Sequence, residues 1–247
     1  MTNELLLKKQ FQDILLNYRT SEEASRLLKK SKIALFDGPS ASGRNTLISN
    51  LLKNHPGYQL IVSDTTRKPR KNNDRLEMNG IEYWFKSETE FLEGLKNGNY
   101  IEAAIIHDQQ VSGVNVSEII RASKSDKIAI NDVQPDGIEA FRKVKPDTRC
   151  FFILPPTFNI WESRLNARGK MHSNERIRRY TSAIYEIEHA LSVSYYKFII
   201  NSDLKKATKL VNAICSGEDV DTRDARGTAV QLLNDTKDHL KEAYDKL

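Results

Sequence analysis

The seven residues Gly38-Pro39-Ser40-Ala41-Ser42-Gly43-Arg44 place two glycines five positions apart, between an apolar run at 33–36 and a segment of helical period. A strand that feeds Gly-x-x-x-x-Gly and then a helix can wrap its backbone N–H groups around phosphate oxygens. The helix N-terminus adds about half a positive charge. The full pattern continues with Lys and then Ser or Thr, whereas this chain has Arg44 and Asn45. Arginine keeps the charge but is longer and planar. Asn45 offers an amide oxygen where a hydroxyl usually holds Mg²⁺, and Thr46 supplies a hydroxyl one position late. The phosphate-cradling residues on this reading are Gly38, Ser40, Ala41, Ser42, Gly43, Arg44, Asn45 and Thr46, with Asn45 the candidate Mg²⁺ ligand. The alternative is an ordinary strand-to-helix turn rich in Gly and Ser.

Such a loop needs a strand in front, a helix behind and a sheet around both. Behind it, Thr46-Leu47-Ile48 and Leu51-Leu52 predict a helix ending near Asn54. Further apolar runs at 59–62, 127–130, 150–154 and 198–200 are interleaved with helical patterns at about 114–124, 136–143, 158–168, 175–192 and 203–215. Short all-apolar strands alternating with helices predict an α/β fold, a parallel sheet flanked by helices on both faces. Residues 63–112 break this rhythm and predict an inserted subdomain: a polar basic turn, a strand-like stretch at 81–85, a helix capped by Ser87 with Glu90, and a strand at 100–106. Ahead of the loop, Leu7, Phe11, Leu15 and Tyr18 predict an amphipathic helix over 3–18. Thr20-Ser21-Glu22-Glu23 reads as a capping box that opens a second helix running to about residue 30. Behind the core, 217–224 is polar and charged, and Val230, Leu233, Leu240, Tyr244 and Leu247 mark a final helix. The resulting division is an N-terminal helical extension (1–30), a core domain (31–216), and a charged linker with a C-terminal helix (217–247). The terminal helices have three options: to pack on each other, to pack on the core, or to form a self-association seam.

Of the 247 residues 39% are hydrophobic and 29% charged, which predicts a folded core under a charged surface. No apolar run approaches the roughly 20 residues that cross a bilayer. Lys8, Lys9 and Asp13 interrupt the first 17 residues, where a secretory signal would need an unbroken apolar stretch. Cys150 and Cys215 have no paired spacing, which fits a reducing cytoplasm and argues against a disulfide framework or a zinc site. The five histidines are scattered and none is given a metal role. The net charge of +5 leaves two readings level on composition alone. Nucleic-acid binding would want a basic stripe with interleaved aromatics, while arginine clusters beside turns suit a small polyanion such as a nucleotide.

Val62-Ser63-Asp64-Thr65-Thr66-Arg67-Lys68-Pro69-Arg70 closely resembles the Ser-x-Thr-Thr-Arg-x-Pro-Arg segment of guanylate kinases. Gly80-Ile81-Glu82-Tyr83-Trp84-Phe85 is similar to that family's Gly-x-x-Tyr-x-Phe, and Tyr100-Ile101-Glu102-Ala103 to its Phe/Tyr-Ile-Glu segment. Phe151-Phe152-Ile153-Leu154-Pro155-Pro156, Arg164-Leu165-Asn166-Ala167-Arg168-Gly169 and Ile200-Asn201-Ser202-Asp203 continue the resemblance in family order, over roughly 32–215. It implies a P-loop NTPase-type fold with a GMP-binding subdomain at 63–112 and a helical lid at about 168–180. The activity implied is phosphoryl transfer from ATP to GMP with Mg²⁺, in the cytoplasm, with neither nucleic acid nor membrane as partner.

The resemblance also assigns roles. Arg67 and Arg70, three apart around a proline turn, form a two-guanidinium clamp suited to the GMP phosphate, with Tyr83 adding a phenolic donor. Glu102 corresponds to the carboxylate that accepts from guanine N1 and N2, and Ser63 to the hydroxyl near O6. Arg168 and Arg179 correspond to the lid arginines and, with Arg44, complete the catalytic set, Arg176 or Arg178 being possible substitutes. Against these stand plainer readings: a solvated basic turn, an exposed strand glutamate and a solvated arginine face.

Three positions depart from the family pattern. Its Tyr-Gly-Ser falls on Val111-Ser112-Gly113, losing a tyrosine and a serine contact. Its Asp-x-Asp/Glu falls on Asp132-Val133-Gln134, leaving Gln134 to accept with an amide. The turn between Arg70 and Tyr83 is several residues long for the family. Two alternatives therefore stay open: a catalytically weak or inactive binding module, and a kinase for another phosphorylated acceptor.

Overall fold

A strand that is apolar on both faces has to lie inside a sheet covered from both sides, and Ile-Ala-Leu-Phe-Asp at 33–37 is such a run. The structure, a computed structural model, describes residues 5–72, 75–106, 109–167 and 171–244. The chain opens with α1 (Lys8–Leu16), α2 (Glu22–Lys30), β1 (Ile33–Asp37), α3 (Arg44–Asn54) and β2 (Tyr58–Leu60). There follow β3 (Asp64–Thr65), β4 (Lys71–Asn72), β5 (Arg75–Leu76), β6 (Trp84–Phe85), α4 (Glu88–Lys96), β7 (Tyr100–Ile106) and β8 (Gln110–Asn115). Then come α5 (Val116–Lys124), β9 (Ile128–Asp132), α6 (Pro135–Val144), β10 (Arg149–Leu154) and α7 (Phe158–Asn166). The last are α8 (Ser173–Ser192), β11 (Tyr196–Ile200), α9 (Leu204–Cys215) and α10 (Asp224–Tyr244). Among the described residues no helix is long and apolar enough to cross a membrane.

The chain divides into two compact units, Met1–Ile33 with Gly57–Ala129 and Glu139–Thr148, and Ala34–Pro56 with Ile130–Ile138 and Arg149–Leu247. In the second unit β11, β10, β1 and β9 are neighbours in that order. β1 pairs parallel with β10, Ala34 opposite Arg149 and Asp37 opposite Phe152, and β10 pairs parallel with β11. All five residues of β1 are buried. This is the parallel, helix-flanked sheet that the sequence predicts.

Also in the second unit, α10 packs on α8, β11 and α7. It buries Ala225, Ala229, Leu232 and Thr236, a stripe of mostly small residues that lets two helix backbones come close. Val230 and Tyr244, two of the residues that mark the helix in the sequence, are 44% and 55% exposed. The hydrophobic pattern found the helix, and its buried side is chosen by size. His239 stacks on Phe158 with ring centroids 3.9 Å apart, and Lys237 pairs with Glu188 of α8 at 2.6 Å.

In the first unit the inserted segment forms a four-stranded sheet in the order β6-β3-β8-β7, with a separate β4–β5 hairpin in the long turn. The strand-like stretch at 81–85 shortens to β6, since Ile81 and Glu82 donate back to the Met78 carbonyl in a turn. The capping box at Ser87 and Glu90 forms as expected. At α2 the cap is Ser21, whose side chain accepts from Ala24 N–H.

The N-terminal helix α1 is part of this unit's core. Phe11 is fully buried with Phe91, Leu92, Leu95, Tyr100 and Val111, and Leu7, Ile14, Leu15 and Tyr18 pack around them. The helix has no side-chain cap of its own. The Glu88 carboxylate instead accepts from Leu6 N–H at 3.1 Å and Leu7 N–H at 2.7 Å. Phe11→Ala should therefore cost about 3–5 kcal/mol in urea unfolding with an unchanged m-value. A loss below about 0.5 kcal/mol would mean that α1 is not docked.

Candidate active site

The loop after β1 is shaped by two close approaches. Gly38 has φ +137°, and a Cβ there would stand 2.3 Å from the Ile153 carbonyl oxygen of β10. Gly43 has φ +97°, and its Cβ would stand 2.2 Å from Asn201 Nδ2. Between them Ser42 N–H donates to the Pro39 carbonyl at 2.9 Å, and Ala41 takes a positive φ of 67°. The loop's carbonyls are answered from behind. Trp161 Nε1 donates to Ser40 O at 2.7 Å, and Arg164 and Asn201 donate to Ser42 O at 3.2 and 3.1 Å. Arg164 also holds the Asn201 carbonyl at 2.9 Å. Helix α3 then begins with no side-chain cap, so its first-turn amides are free to meet an anion. Ser42 Oγ is buried and has no hydrogen-bond partner among the described residues. A cleft of about 400 Å³ opens beside the loop, lined by Gly43, Thr46, Arg164, Asn201 and Leu204, within the range of small-molecule sites.

Arg44, the first residue of α3, reaches Asp132 Oδ1 at 2.6 Å and Asp37 Oδ1 at 3.7 Å. Asp37 is fully buried and also accepts from Gly38 N–H at 2.7 Å and the Tyr196 hydroxyl at 2.9 Å. Burial pushes its carboxyl up to about 6, opposed first by the Arg44 guanidinium. Burial likewise raises Asp132, again against Arg44. Burial carries Glu186 on α8 up to about 7, with Asp37 adding to the rise. The guanidinium in the usual lysine position is thus the counter-ion of a buried carboxylate group.

Asn45 and Thr46 are exposed in the first turn of α3. Their amide oxygen and hydroxyl are hard donors, and among the described residues no group of three His, Cys, Asp or Glu forms a metal cage. Mg²⁺ at phosphate sites ordinarily keeps one or two protein ligands and completes its shell with phosphates and waters. The sparse donor set fits that arrangement.

Among the described residues, Arg179 is the candidate lid arginine that meets the loop. Its Nη1 donates to Ser40 Oγ at 2.8 Å, and its Nη2 pairs with Glu175 at 2.8 Å. Arg176 is held by Glu162 at 2.5 Å, which also accepts from the Tyr180 hydroxyl at 2.8 Å. Arg178 pairs with Glu175 and is 75% exposed. Arg168 lies outside the described residues. Gln134 lies in the second unit, exposed, its carbonyl accepting Ile138 N–H at 3.1 Å as α6 begins.

The first unit gathers Arg67, Tyr83 and Phe85. The Arg67 guanidinium stands 4.7 Å from the Tyr83 ring centroid and 5.6 Å from that of Phe85. Both Arg67 Nη atoms are paired with the Glu77 carboxylate, at 2.5 and 2.9 Å. That carboxylate also accepts from Arg70 N–H at 2.8 Å, while the Arg70 residue is exposed. The Arg67 hydrogen bond holds the Glu77 carboxyl below its usual range.

In this unit Ser63 immediately precedes β3, and Thr65 lies on one face of the sheet. Ser112 is opposite Thr65, and Glu102 shares that face through the pairing of Ala104 with Ser112. Thr65 Oγ1 and Ser112 Oγ are 2.8 Å apart. Glu102 keeps some surface exposed, yet burial pushes its carboxyl up to about 7, opposed by the Val114 N–H.

Several of these residues escaped sequence reasoning. Arg164 and Asn201 lay in matching segments but had no role suggested by their spacing. Trp161, Asp37 and Glu77 gave no signal, since each acts on a partner that folding alone supplies. Ser112 offers its hydroxyl beside Thr65 one position earlier than the family motif places its serine.

A guanylate kinase family model matches residues 30–218. The chain is 30% identical over 191 residues to a guanylate kinase of Clostridioides difficile, covering 77% of this chain and 90% of that protein. It is 35% identical over 193 residues to one of Neisseria meningitidis serogroup A, covering 75% and 89%. The crystal structure of guanylate kinase from Anaplasma phagocytophilum superposes with a TM-score of 0.56 at 24% identity, covering 78% of this chain and 87% of that one, a likeness of fold. With its glycine loop, its arginine-bearing α8 and its inserted sheet, this chain belongs to the guanylate kinase family.

Proposed function

We propose that this chain transfers the terminal phosphoryl group of ATP to GMP, giving ADP and GDP. The observation that carries the reading is Arg179 on α8, bound to Ser40 Oγ at 2.8 Å beside the uncapped start of α3. Cation, turned-in loop and helix N-terminus together favour a polyphosphate.

The reaction asks for positioning and charge neutralisation, with no covalent intermediate on the protein. An oxygen of the GMP phosphate attacks the γ-phosphorus, and the bond to the ADP oxygen breaks in line. The amides of 43–46 and Arg179 hold the triphosphate, with Arg168 a second lid cation. Arg67, fixed by Glu77 over the Tyr83 ring, holds the acceptor phosphate with Arg70 and Tyr83. Asn45, with Thr46 beside it, would hold Mg²⁺, which neutralises charge between the transferring and leaving oxygens. Arg44, itself held by Asp132 and Asp37, fixes the entry of α3 and sets the field around the loop. On the acceptor side, Glu102 accepts from guanine N1–H and N2–H with Ser63 near O6. Adenine would leave that buried carboxylate unpaired. Gln134 is retained as a weaker neutral acceptor for the base.

A coupled assay of ADP release with Mg-ATP should show turnover of GMP, with kcat/KM above that for AMP by at least about 10²-fold; absence of turnover with GMP would sink the reading. Arg44→Ala should lower kcat by about 10²-fold or more with GMP affinity nearly unchanged. Arg44→Lys should also fall below the parent, since the shorter side chain does not carry its charge to the point where Arg44 Nη1 meets Asp132 and Asp37. A gain in rate with lysine would contradict this role.

Because the Glu102 carboxyl is raised to about 7, its accepting, ionised form is lost as pH falls through 7. KM for GMP should therefore climb below pH 7, by up to about tenfold per unit. GMP's own phosphate titrates near there, so Glu102→Gln is the control: its KM profile should lose the Glu102 component and be flatter than the parent's.

A further inference from the structure

The first helix and the turn that follows it precede residue 30, where the match to the family model begins, so the shared chemistry of the family leaves them without a role. Strand β7 forms one edge of the first unit's sheet. An edge strand presents backbone groups without strand partners. At Tyr100 a single side chain takes both. The Tyr18 hydroxyl donates to the Tyr100 carbonyl at 2.7 Å and accepts from Tyr100 N–H at 2.8 Å. Next along, the Thr20 hydroxyl donates to the Ile101 carbonyl at 3.3 Å.

This bracket sits on an irregularity in the sheet. Tyr100 lies opposite Asn115 and Glu102 opposite Val114, so Ile101 is an extra residue on β7. A bulge of this kind shifts the alternation of side chains and re-aims the ones that follow. Tyr100, Ala103 and Ile105 consequently pack in the α1 cluster, and Glu102, between them, faces the other way. In a regular strand of the same sequence Glu102, two residues on, would share the face of Tyr100.

The bulge is anchored on the core side as well. The Tyr100 ring stacks on Phe91 with centroids 4.3 Å apart, and Phe11 of α1 meets Phe91 edge-on at 6.1 Å. The Tyr100 hydroxyl donates to the buried Asp64 at 2.7 Å. Burial raises the Tyr18 phenol to about 12, so it stays a neutral donor and acceptor at any working pH.

We propose that the N-terminal segment is a positioning device for acceptor-base recognition, in which Tyr18 and Thr20 fix the β7 bulge that aims Glu102. The inference rests on Glu102 reading the guanine edge.

Tyr18→Phe removes the hydroxyl and keeps the ring. KM for GMP and the preference for GMP over AMP should each worsen by about three- to tenfold, the worth of one or two hydrogen bonds. The kcat at saturating GMP and the KM for ATP should stay within about twofold, since nothing at the loop has changed. Thr20→Ala should move the same two quantities the same way by a smaller factor, with less effect on the core. Added to Glu102→Gln, Tyr18→Phe should worsen them no further, because it acts through that carboxylate.

The outcomes separate the two ideas. If Glu102→Gln leaves the GMP preference intact, the reading of Glu102 fails. If Glu102→Gln abolishes the preference while Tyr18→Phe and Thr20→Ala leave it unchanged, this proposal fails and the earlier reading stands. Equal losses in kcat for both acceptors, with KM constant, would make the segment a merely structural brace and overturn the proposal.

Discussion

A peptide chain can turn several amide N–H groups toward one anion only if its carbonyls are answered somewhere else. That condition governs the second unit. Each buried carbonyl left without a donor would cost about 1–3 kcal/mol, so the loop holds its shape because Trp161, Arg164 and Asn201 donate to it from behind. Those donors come from α7 and from the end of β11. The two glycines are set by the same condition, since Gly38 must pass against the Ile153 carbonyl and Gly43 against Asn201. Donor sites and glycine positions therefore form one constraint. A loop with the right glycines and no brace would relax toward an ordinary turn.

Charge follows from that geometry. Asp37 ends β1 and is buried where the loop departs, and an isolated carboxylate there would be neutralised at considerable cost. Arg44 supplies the compensation, its long side chain carrying one nitrogen, Nη1, to within 2.6 Å of Asp132 and 3.7 Å of Asp37. Arginine in this place is thus matched to an aspartate seven residues earlier. Arg44 thereby fixes the entry of α3, whose amides, with Arg179, face the loop.

The elements were legible because their signals are local. Runs such as 150–154 are apolar throughout, and Ser87 with Glu90 writes its cap within four residues. What escaped is what depends on distant partners. Glu77 carries no mark in the sequence that it will clamp Arg67, since its partner is ten residues away across a hairpin. The buried face of α10 left no mark because Ala225 and Ala229 are chosen for size, to which a hydrophobic period is blind. Motif alignment counted a serine lost at Gly113, although strand register carries the neighbouring Ser112 hydroxyl to Thr65. Tyr18 was read as one more apolar face residue, and its hydroxyl turns out to close a sheet edge.

The acceptor side shows why aim matters more for a buried acceptor than for an exposed one. An exposed carboxylate that points a little wrong keeps its water and loses little. Glu102 is set where burial brings its carboxyl up to about 7, so much of its desolvation has been met before any base arrives. On the reading proposed for Glu102, donors supplied by the base favour the ionised form and pull the proton off, whereas a base without them leaves a charge uncompensated or a proton in place. The discrimination available is therefore limited by how well the carboxylate is directed at those donors. Direction is a property of the backbone at the Tyr100–Glu102 bulge, and a bulge on an edge strand has ladder bonds on one side only. Closing that edge with the Tyr18 and Thr20 hydroxyls holds the backbone still without adding a strand, which would have extended the sheet and left another edge in its place.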